Sequence, residues 1–263
     1  VRKVYITFSG AAFDDTTRRI VENASRLGAD EVRVYDDAWL RETPFYHLNR
    51  WIFDRKPQMG YGWCSWKPFI ILETLKGLSY DDVVLYTDAD AYPIGNLSQL
   101  FESTAIHSIC PTGIMLFEEQ GCQHKLFTRR SCWRTMGLEN IFDENAIHAA
   151  GRFQVFRKGQ HVANQFLAEW LTYSLNPECQ FHEPCFRDGR SEHPEFIRHS
   201  AEQSVLSLLA LKYGIPLHRC PDQGGWPVAW DGKYKPEDTY PQVFQHDGRR
   251  GQYSEKGSRF RNV

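Results

Sequence analysis

A chain of 263 residues can enclose one large α/β core or two small ones, and we expect a single domain, 1–263, whose halves divide near residue 95. Lys and Arg number 31 against 33 Asp and Glu, a net charge of −2, so the surplus of basic residues that nucleic acid or an anionic membrane surface would attract is missing. Seven cysteines without a regular framework fit a reducing compartment, and no apolar run approaches the ~20 residues of a membrane span. The expectation is cytoplasmic placement, or the soluble part of a longer protein.

Residues 4–8 read as a short apolar strand, followed by Ser9-Gly10 and then Asp14-Asp15-Thr16, which is expected to cap a helix running to about residue 27. Residues 31–35 are the next strand. This β-α-β opening suits an open α/β sheet, whose ligand edge lies at the turn after the first strand, although Gly-x-Gly-x-x-Gly is absent. Residues 41–58 are polar, aromatic and irregular. They lead into Gly60-Tyr61-Gly62-Trp63-Cys64-Ser65-Trp66-Lys67-Pro68, with Pro68 in the first turn of a helix over 69–76. The start of that helix and Lys67 would both favour an anion. Lys67 reads either as a phosphate contact or as a solvated charge beside two indoles, and its place just before the next strand favours phosphate.

That strand is the most informative segment. Residues 83–92 read Val-Val-Leu-Tyr-Thr-Asp-Ala-Asp-Ala-Tyr, an apolar run ending in Asp88 and Asp90, which a strand would send to one face. Two carboxylates there can grip a hard divalent cation at the end of the sheet where ligands bind. The same pattern can also cap a helix or solvate a loop.

Further on, we expect a short helix over 96–101, a strand over 109–117, polar helical or loop segments over 129–136 and 139–145, a strand over 149–157 and a helix over 160–174. Residues 176–198 read as a loop. Cys179, His182 and Cys185, with His193 and His199 nearby, are zinc-ligand types at a spacing unlike a zinc ribbon or finger, so an ordinary loop is the better reading. Ser200 and Gln203 fit a capping box before an amphipathic helix over 204–213. A last strand covers 215–218, and the Gly-, Trp- and Tyr-rich chain beyond Cys220 reads as a tail folded over a site. Aromatics make up 14% of the chain, with eight Trp, which serves either a core or stacking on sugar faces.

The run Trp66-Lys67-Pro68-Phe69-Ile70-Ile71-Leu72-Glu73, a spacer, and then Val83-Val84-Leu85-Tyr86-Thr87-Asp88-Ala89-Asp90 resembles GT-A-fold glycosyltransferases, especially the galactosyltransferase and glycogenin-like group. Three later segments are similar in the same order: Ala150-Gly151-Arg152-Phe153-Gln154, Glu202-Gln203-Ser204-Val205-Leu206 and Val243-Phe244-Gln245-His246-Asp247-Gly248. The resemblance implies a Rossmann-like α/β domain with a mixed central sheet flanked by helices. Residues 1–95 would then be the nucleotide-binding half, and 96–263 the acceptor-side half and tail. Asp88, Asp90 and His246 would hold Mn²⁺ or Mg²⁺ on the diphosphate of a nucleotide sugar, with UDP the expected nucleotide.

On the same resemblance Lys67 approaches the donor, Gly151 lines the donor sugar, and Glu202 and Gln203 lie beside the reacting carbon. Thr7, Phe8 and Ser9, at the end of the first strand, and Tyr86 and Thr87 are the expected nucleotide contacts. Two departures stand out: Glu202 replaces the usual Asp, and Arg249-Arg250-Gly251 stands where the group carries Lys-Pro-Trp. Arg249 or Arg250 would then share the phosphate charge. Glu202 reads either as an N-terminal helix acid or as the group that removes the acceptor proton or stabilises a cationic sugar. The order of motifs leans towards retention. His246 reads as a metal ligand or as a surface histidine.

The expected activity is metal-dependent transfer of a hexose or pentose to a glycan or other hydroxyl acceptor. Its rivals are a haloacid-dehalogenase-type phosphatase with Asp88 as nucleophile, and a non-catalytic glycan-binding module.

Overall fold

The computed structural model describes residues 1–10, 13–55, 61–181, 191–222 and 240–246. In chain order the elements begin β1 (Lys3–Phe8), α1 (Asp14–Arg26), β2 (Glu31–Tyr35), α2 (Asp37–Arg41), α3 (Pro44–Leu48), α4 (Arg50–Phe53), α5 (Lys67–Lys76) and β3 (Val83–Asp88). There follow β4 (Ala91–Pro93), α6 (Ser98–Ala105), β5 (Ile114–Gln123), α7 (His124–Phe127), α8 (Arg130–Thr135) and β6 (Ile147–Arg157). The last are α9 (His161–Ser174), α10 (Pro177–Gln180), α11 (Ala201–Tyr213), β7 (Leu217–His218) and β8 (Phe244–His246).

Six strands form one sheet in the order β2-β1-β3-β6-β5-β7, and β4 pairs with β8 in a small second sheet. β1 runs parallel to β2 and β3, β6 is antiparallel to both β3 and β5, and β7 is parallel to β5. This is the mixed central sheet flanked by helices that the sequence predicts.

Helices cover both faces, so the central strands bury alternate residues in two different cores and read as continuous apolar runs. Val4, Ile6, Val84 and Tyr86 pack with α5, α9 and α11 on one side. Tyr5, Val83, Leu85 and Val155 pack with α1 and α6 on the other. The parallel β1–β3 register sets Thr7 beside Thr87 and Phe8 beside Asp88, which brings both strands to an end at the same edge.

Several local expectations are corrected. The acids at 14 and 15 lie inside the first turn of α1, after Phe13, rather than capping it through a side chain. The stretch after β2 is not irregular: Asp36 caps α2 by accepting from Trp39 N–H at 2.7 Å, and Thr43 caps α3 by accepting from Tyr46 N–H at 3.2 Å. β5 starts at Ile114, five residues later than expected, because the backbone turns through 107–113. The expected loop after α9 contains α10, capped by Asn176. Ser200 makes no side-chain cap, so the capping box does not form. Ser200 N–H donates to Ser204 Oγ, and Gln203 Nε2 donates to Ala149 O at 3.0 Å.

α11 is buried almost all round rather than amphipathic, because it lies between β6 and α9. Its polar Ser207 accepts from Ala149 N–H at 2.9 Å and donates to Gln203 O at 2.6 Å. The chain beyond Cys220 also contributes to the core. Tyr240, Val243 and Phe244 are buried, and Phe244 stacks on Phe153 at 4.8 Å. Arg249 and Arg250 lie outside the described residues. Among the described residues no helix is long and apolar enough to cross a membrane.

Candidate active site

β3 ends at Asp88, and the turn through Ala89 and Asp90 carries the chain into β4. Only Asp88 is therefore presented by the strand; Asp90 comes from the turn. Both nonetheless line one cleft of about 170 Å³ at the end of the sheet, together with Lys67, Glu119, Gly151, Arg152, Glu202 and Gln203.

Period-two geometry puts Tyr86 on the same face as Asp88, and the Tyr86 hydroxyl donates to Asp88 Oδ1 at 2.5 Å. The same oxygen lies 3.0 Å from Lys67 Nζ. Lys67 begins α5, and Pro68, which has no N–H to lose, follows it in the first turn. Its ammonium also donates to Gly151 O at 2.7 Å and to Glu202 Oε1 at 2.8 Å. The residue is 2% exposed, so it is no solvated charge: all three donors have protein partners. Burial disfavours that charge, yet the carboxylates of Asp88 and Glu202 outweigh it and hold the Lys67 pKa above its ordinary value. Burial pushes the Glu202 carboxyl above its usual range, with Lys67 pulling the other way. Glu202 is thus a buried, basic carboxylate at the head of α11.

Close packing holds the pair in place. A Cβ at Gly151 would stand 3.2 Å from Glu202 Oε1 and 3.4 Å from Gln203 Cβ. The backbone is left-handed at both walls. Gly62, Trp63 and Cys64 have φ of 54°, 50° and 58° just before Trp66 and Lys67, and Ala201 has φ of 47° just before Glu202. Left-handed residues other than Gly cost roughly 1–3 kcal/mol each and collect at functional sites.

Behind the acids lies a second charged chain. Arg152 grips Glu119 through two guanidinium nitrogens, at 3.0 and 2.8 Å, and its Nε lies 2.9 Å from Asp222 Oδ2. Asp222, fully buried, also contacts His246 Nε2. His246 sits on β8, paired with Ala91 of β4, and its other nitrogen, Nδ1, lies 3.8 Å from Asp90 Oδ2. Its side chain is only 10% exposed, so the surface-histidine reading fails.

The residues singled out in the sequence divide into two groups. Lys67, Asp88, Asp90, Gly151, Glu202 and Gln203 meet at the cleft, with His246 beside Asp90. Thr7, Tyr86 and Thr87 are fully buried, and Thr7 Oγ1 donates to Thr87 O at 2.8 Å. Phe8, half-buried, stacks on Trp66 at 4.0 Å, and Ser9 Oγ shares a 2.5 Å hydrogen bond with Thr17. Glu119, Arg152 and Asp222 were not singled out. The local hint was Arg152, a cation beside Gly151 in the middle of a buried strand.

Among the described residues no three His, Cys, Asp or Glu side chains already converge on a point that would hold a metal ion. Asp88 is turned to Lys67 and Tyr86 rather than to Asp90. The donor set of Asp88, Asp90 and His246 nevertheless fits a hard divalent cation, with oxygen ligands and one imidazole. Among the described residues His246 Nδ1 has no hydrogen bond. The zinc-like cluster does not assemble among the described residues: Cys179 is buried, His193 faces Glu144, and His182 and Cys185 lie outside the described residues.

His199 belongs to a different, neutral cluster. Its Nδ1 accepts from Arg129 N–H at 3.2 Å, so its Nε2 carries the proton that bonds Cys179 O at 2.8 Å. Nearby, Thr128 Oγ1 bridges His124 Nδ1 and His148 Nε2, each at 2.8 Å, with the two rings 4.6 Å apart. Burial pushes the His124 pKa down to about 4 and that of His148 down as well.

No protein-family profile and no curated protein matches the chain. Among solved structures, it is similar to apo xyloside xylosyltransferase 1 of mouse, at 13% identity and a TM-score of 0.43, over 83% of this chain and 84% of that one. It is similar to the WbbM bifunctional glycosyltransferase at 11% identity and a TM-score of 0.47, over 84% of this chain and 39% of that one. A third is the glycosyltransferase GlyE of Streptococcus pneumoniae TIGR4, at 12% identity and a TM-score of 0.38, over 85% and 46%. The chain therefore spans less than half the length of the latter two.

Proposed function

We propose that the protein is a metal-dependent glycosyltransferase of GT-A type that moves a sugar from a nucleotide sugar, with UDP as the expected nucleotide, to a hydroxyl acceptor such as a glycan. One observation carries this reading: four carboxylates and two cations line a cleft of about 170 Å³ at the sheet edge where β1 and β3 end, with a half-buried histidine behind Asp90. Four acids against two cations leave an excess of negative charge that would favour a divalent counter-cation. The volume is below the roughly 300–1,000 Å³ of a typical small-molecule site, so it suits the reacting part of a donor rather than the whole.

Asp88, Asp90 and His246 would hold Mn²⁺ or Mg²⁺, which as a Lewis acid would draw charge from the departing diphosphate. Lys67 adds a fixed positive charge beside Asp88 and needs no reorganisation to supply it. Glu202, made more basic by burial, can accept the acceptor hydroxyl proton if the anomer inverts, or face a cationic sugar if configuration is retained. The order of motifs favours retention. Gly151, whose missing side chain lets Glu202 and Gln203 close on β6, would line the donor sugar at the same cleft.

The test is a panel of nucleotide sugars with Mn²⁺, read by donor hydrolysis and by thermal shift. A UDP-sugar is expected to be turned over slowly without acceptor, and only with the metal. Release of phosphate from an aryl phosphate with no donor turnover would support a phosphatase instead. Binding of glycans with no hydrolysis of any donor would mark a binding module.

A further inference from the structure

We propose that Asp222 is a positioning residue that fixes the tautomer of His246, so that Nδ1 offers its lone pair towards Asp90 as a metal ligand. The proposal rests on the metal reading above and adds residues that the acid pair alone does not include.

A carboxylate accepts hydrogen bonds and cannot donate them, so Asp222 Oδ2 against His246 Nε2 requires the proton to sit on Nε2. In the neutral ring Nδ1 is then an acceptor. It has no hydrogen bond among the described residues, and it lies 3.8 Å from another acceptor, Asp90 Oδ2. Two acceptors facing each other at the wall of the cleft are stabilised by a cation between or beside them. A carboxylate behind a ligating imidazole is a common support in metal sites, because it fixes the ring and raises the basicity of the ligating nitrogen.

Asp222 is in turn fixed. Arg152 Nε lies 2.9 Å from the same Oδ2, and Glu119 holds the guanidinium from its other side. Glu119 is on β5, Arg152 on β6 and His246 on β8, so the chain Glu119, Arg152, Asp222, His246 ties the imidazole to the central sheet. The β4–β8 pairing sets the height of the ring, with Ala91 opposite His246.

The experiment uses the whole chain with ¹⁵N-labelled histidine, the His246 signals being assigned by their loss in His246→Gln. In metal-free protein, the neutral ring of His246 is expected to carry its proton on Nε2 rather than Nδ1. Asp222→Ala should lose that bias and bind Mn²⁺ about 10- to 100-fold more weakly by calorimetry, the range seen when such supports are removed. Asp222→Asn keeps an acceptor but not the charge, and is expected to restore the tautomer and recover only part of the affinity. If Asp222→Ala does not fold, Asp222→Asn carries the test by its several-fold weaker Mn²⁺ binding, and unchanged affinity overturns the proposal. A neutral His246 with its proton on Nδ1 in the wild type, or unchanged tautomer and Mn²⁺ affinity in a folded Asp222→Ala, would overturn it too. Wild-type protein with the expected tautomer but no Mn²⁺ binding would sink the metal reading while leaving Asp222 as the residue that orients the ring.

Discussion

Two buried polar regions of this protein solve the same problem in opposite ways. Around the cleft, charges are set against charges: Lys67 between Asp88 and Glu202, Arg152 between Glu119 and Asp222. Around Thr128, three histidines are kept neutral, each with one ring nitrogen bonded to a hydroxyl or a backbone carbonyl. A neutral cluster stabilises a fold without asking for anything from outside. A charged one with more acids than bases has room for a partner ion, and that difference is why the proposed metal is placed at the cleft.

The comparison can be broken most forcefully at the acids. Asp90→Asn is expected to lower metal-dependent donor turnover by about 10³-fold or more, the several kcal/mol that Lewis-acid catalysis contributes, with the circular dichroism spectrum unchanged. Turnover within a few fold of wild type would remove Asp90 from the metal site.

Next in size is Lys67→Met, which leaves Glu202 buried without its counter-charge. A loss of about 3–5 kcal/mol is expected in urea unfolding at neutral pH. In this variant the Glu202 pKa rises further, so native protein binds a proton that unfolded chain does not. The deficit should therefore shrink as pH falls towards the ordinary carboxylate range. A deficit that does not change with pH would show that Lys67 acts through packing alone.

The neutral cluster gives the opposite sign. His124 has a pKa of about 4 when folded against 6.5 in its ordinary state. Its contribution is complete above pH 6.5 and is lost as pH falls towards 4, because the unfolded chain takes up a proton that the buried ring refuses. About 3 kcal/mol should disappear over that window from this residue, and His124→Gln should flatten the slope. The smallest effect is expected from Gly151→Ala. Its Cβ would press on Glu202 and Gln203 at 3.2–3.4 Å, costing about 1 kcal/mol in stability but roughly tenfold in turnover, since small misplacements are felt strongly in catalysis. Equal, negligible effects on both would show that the wall there gives way.

The sheet was legible because burial on both faces makes β1 and β3 nearly uninterrupted apolar runs, and their ends then locate the cleft. Lys67, Asp88 and Glu202 were legible because each stands at the end or start of such an element. Glu119, Arg152 and Asp222 were not, because a single charge in a strand or turn has no pattern of its own, and only the pairing of β5 with β6 brings the first two together. The capping box at Ser200 failed for a local reason: the left-handed Ala201 redirects the chain just where the cap would close, and Ser204 takes the backbone contact instead. Thr7 and Thr87, expected to touch a nucleotide, are used to bond one strand to the other.

The left-handed residues at 62–64 and 201 bear on ligand choice. They set the directions from which Lys67 and Glu202 enter, and the ion pair between the two side chains then holds them in place. An aperture built that way exists before anything arrives. A ligand that fitted it would leave little ordering entropy to be lost.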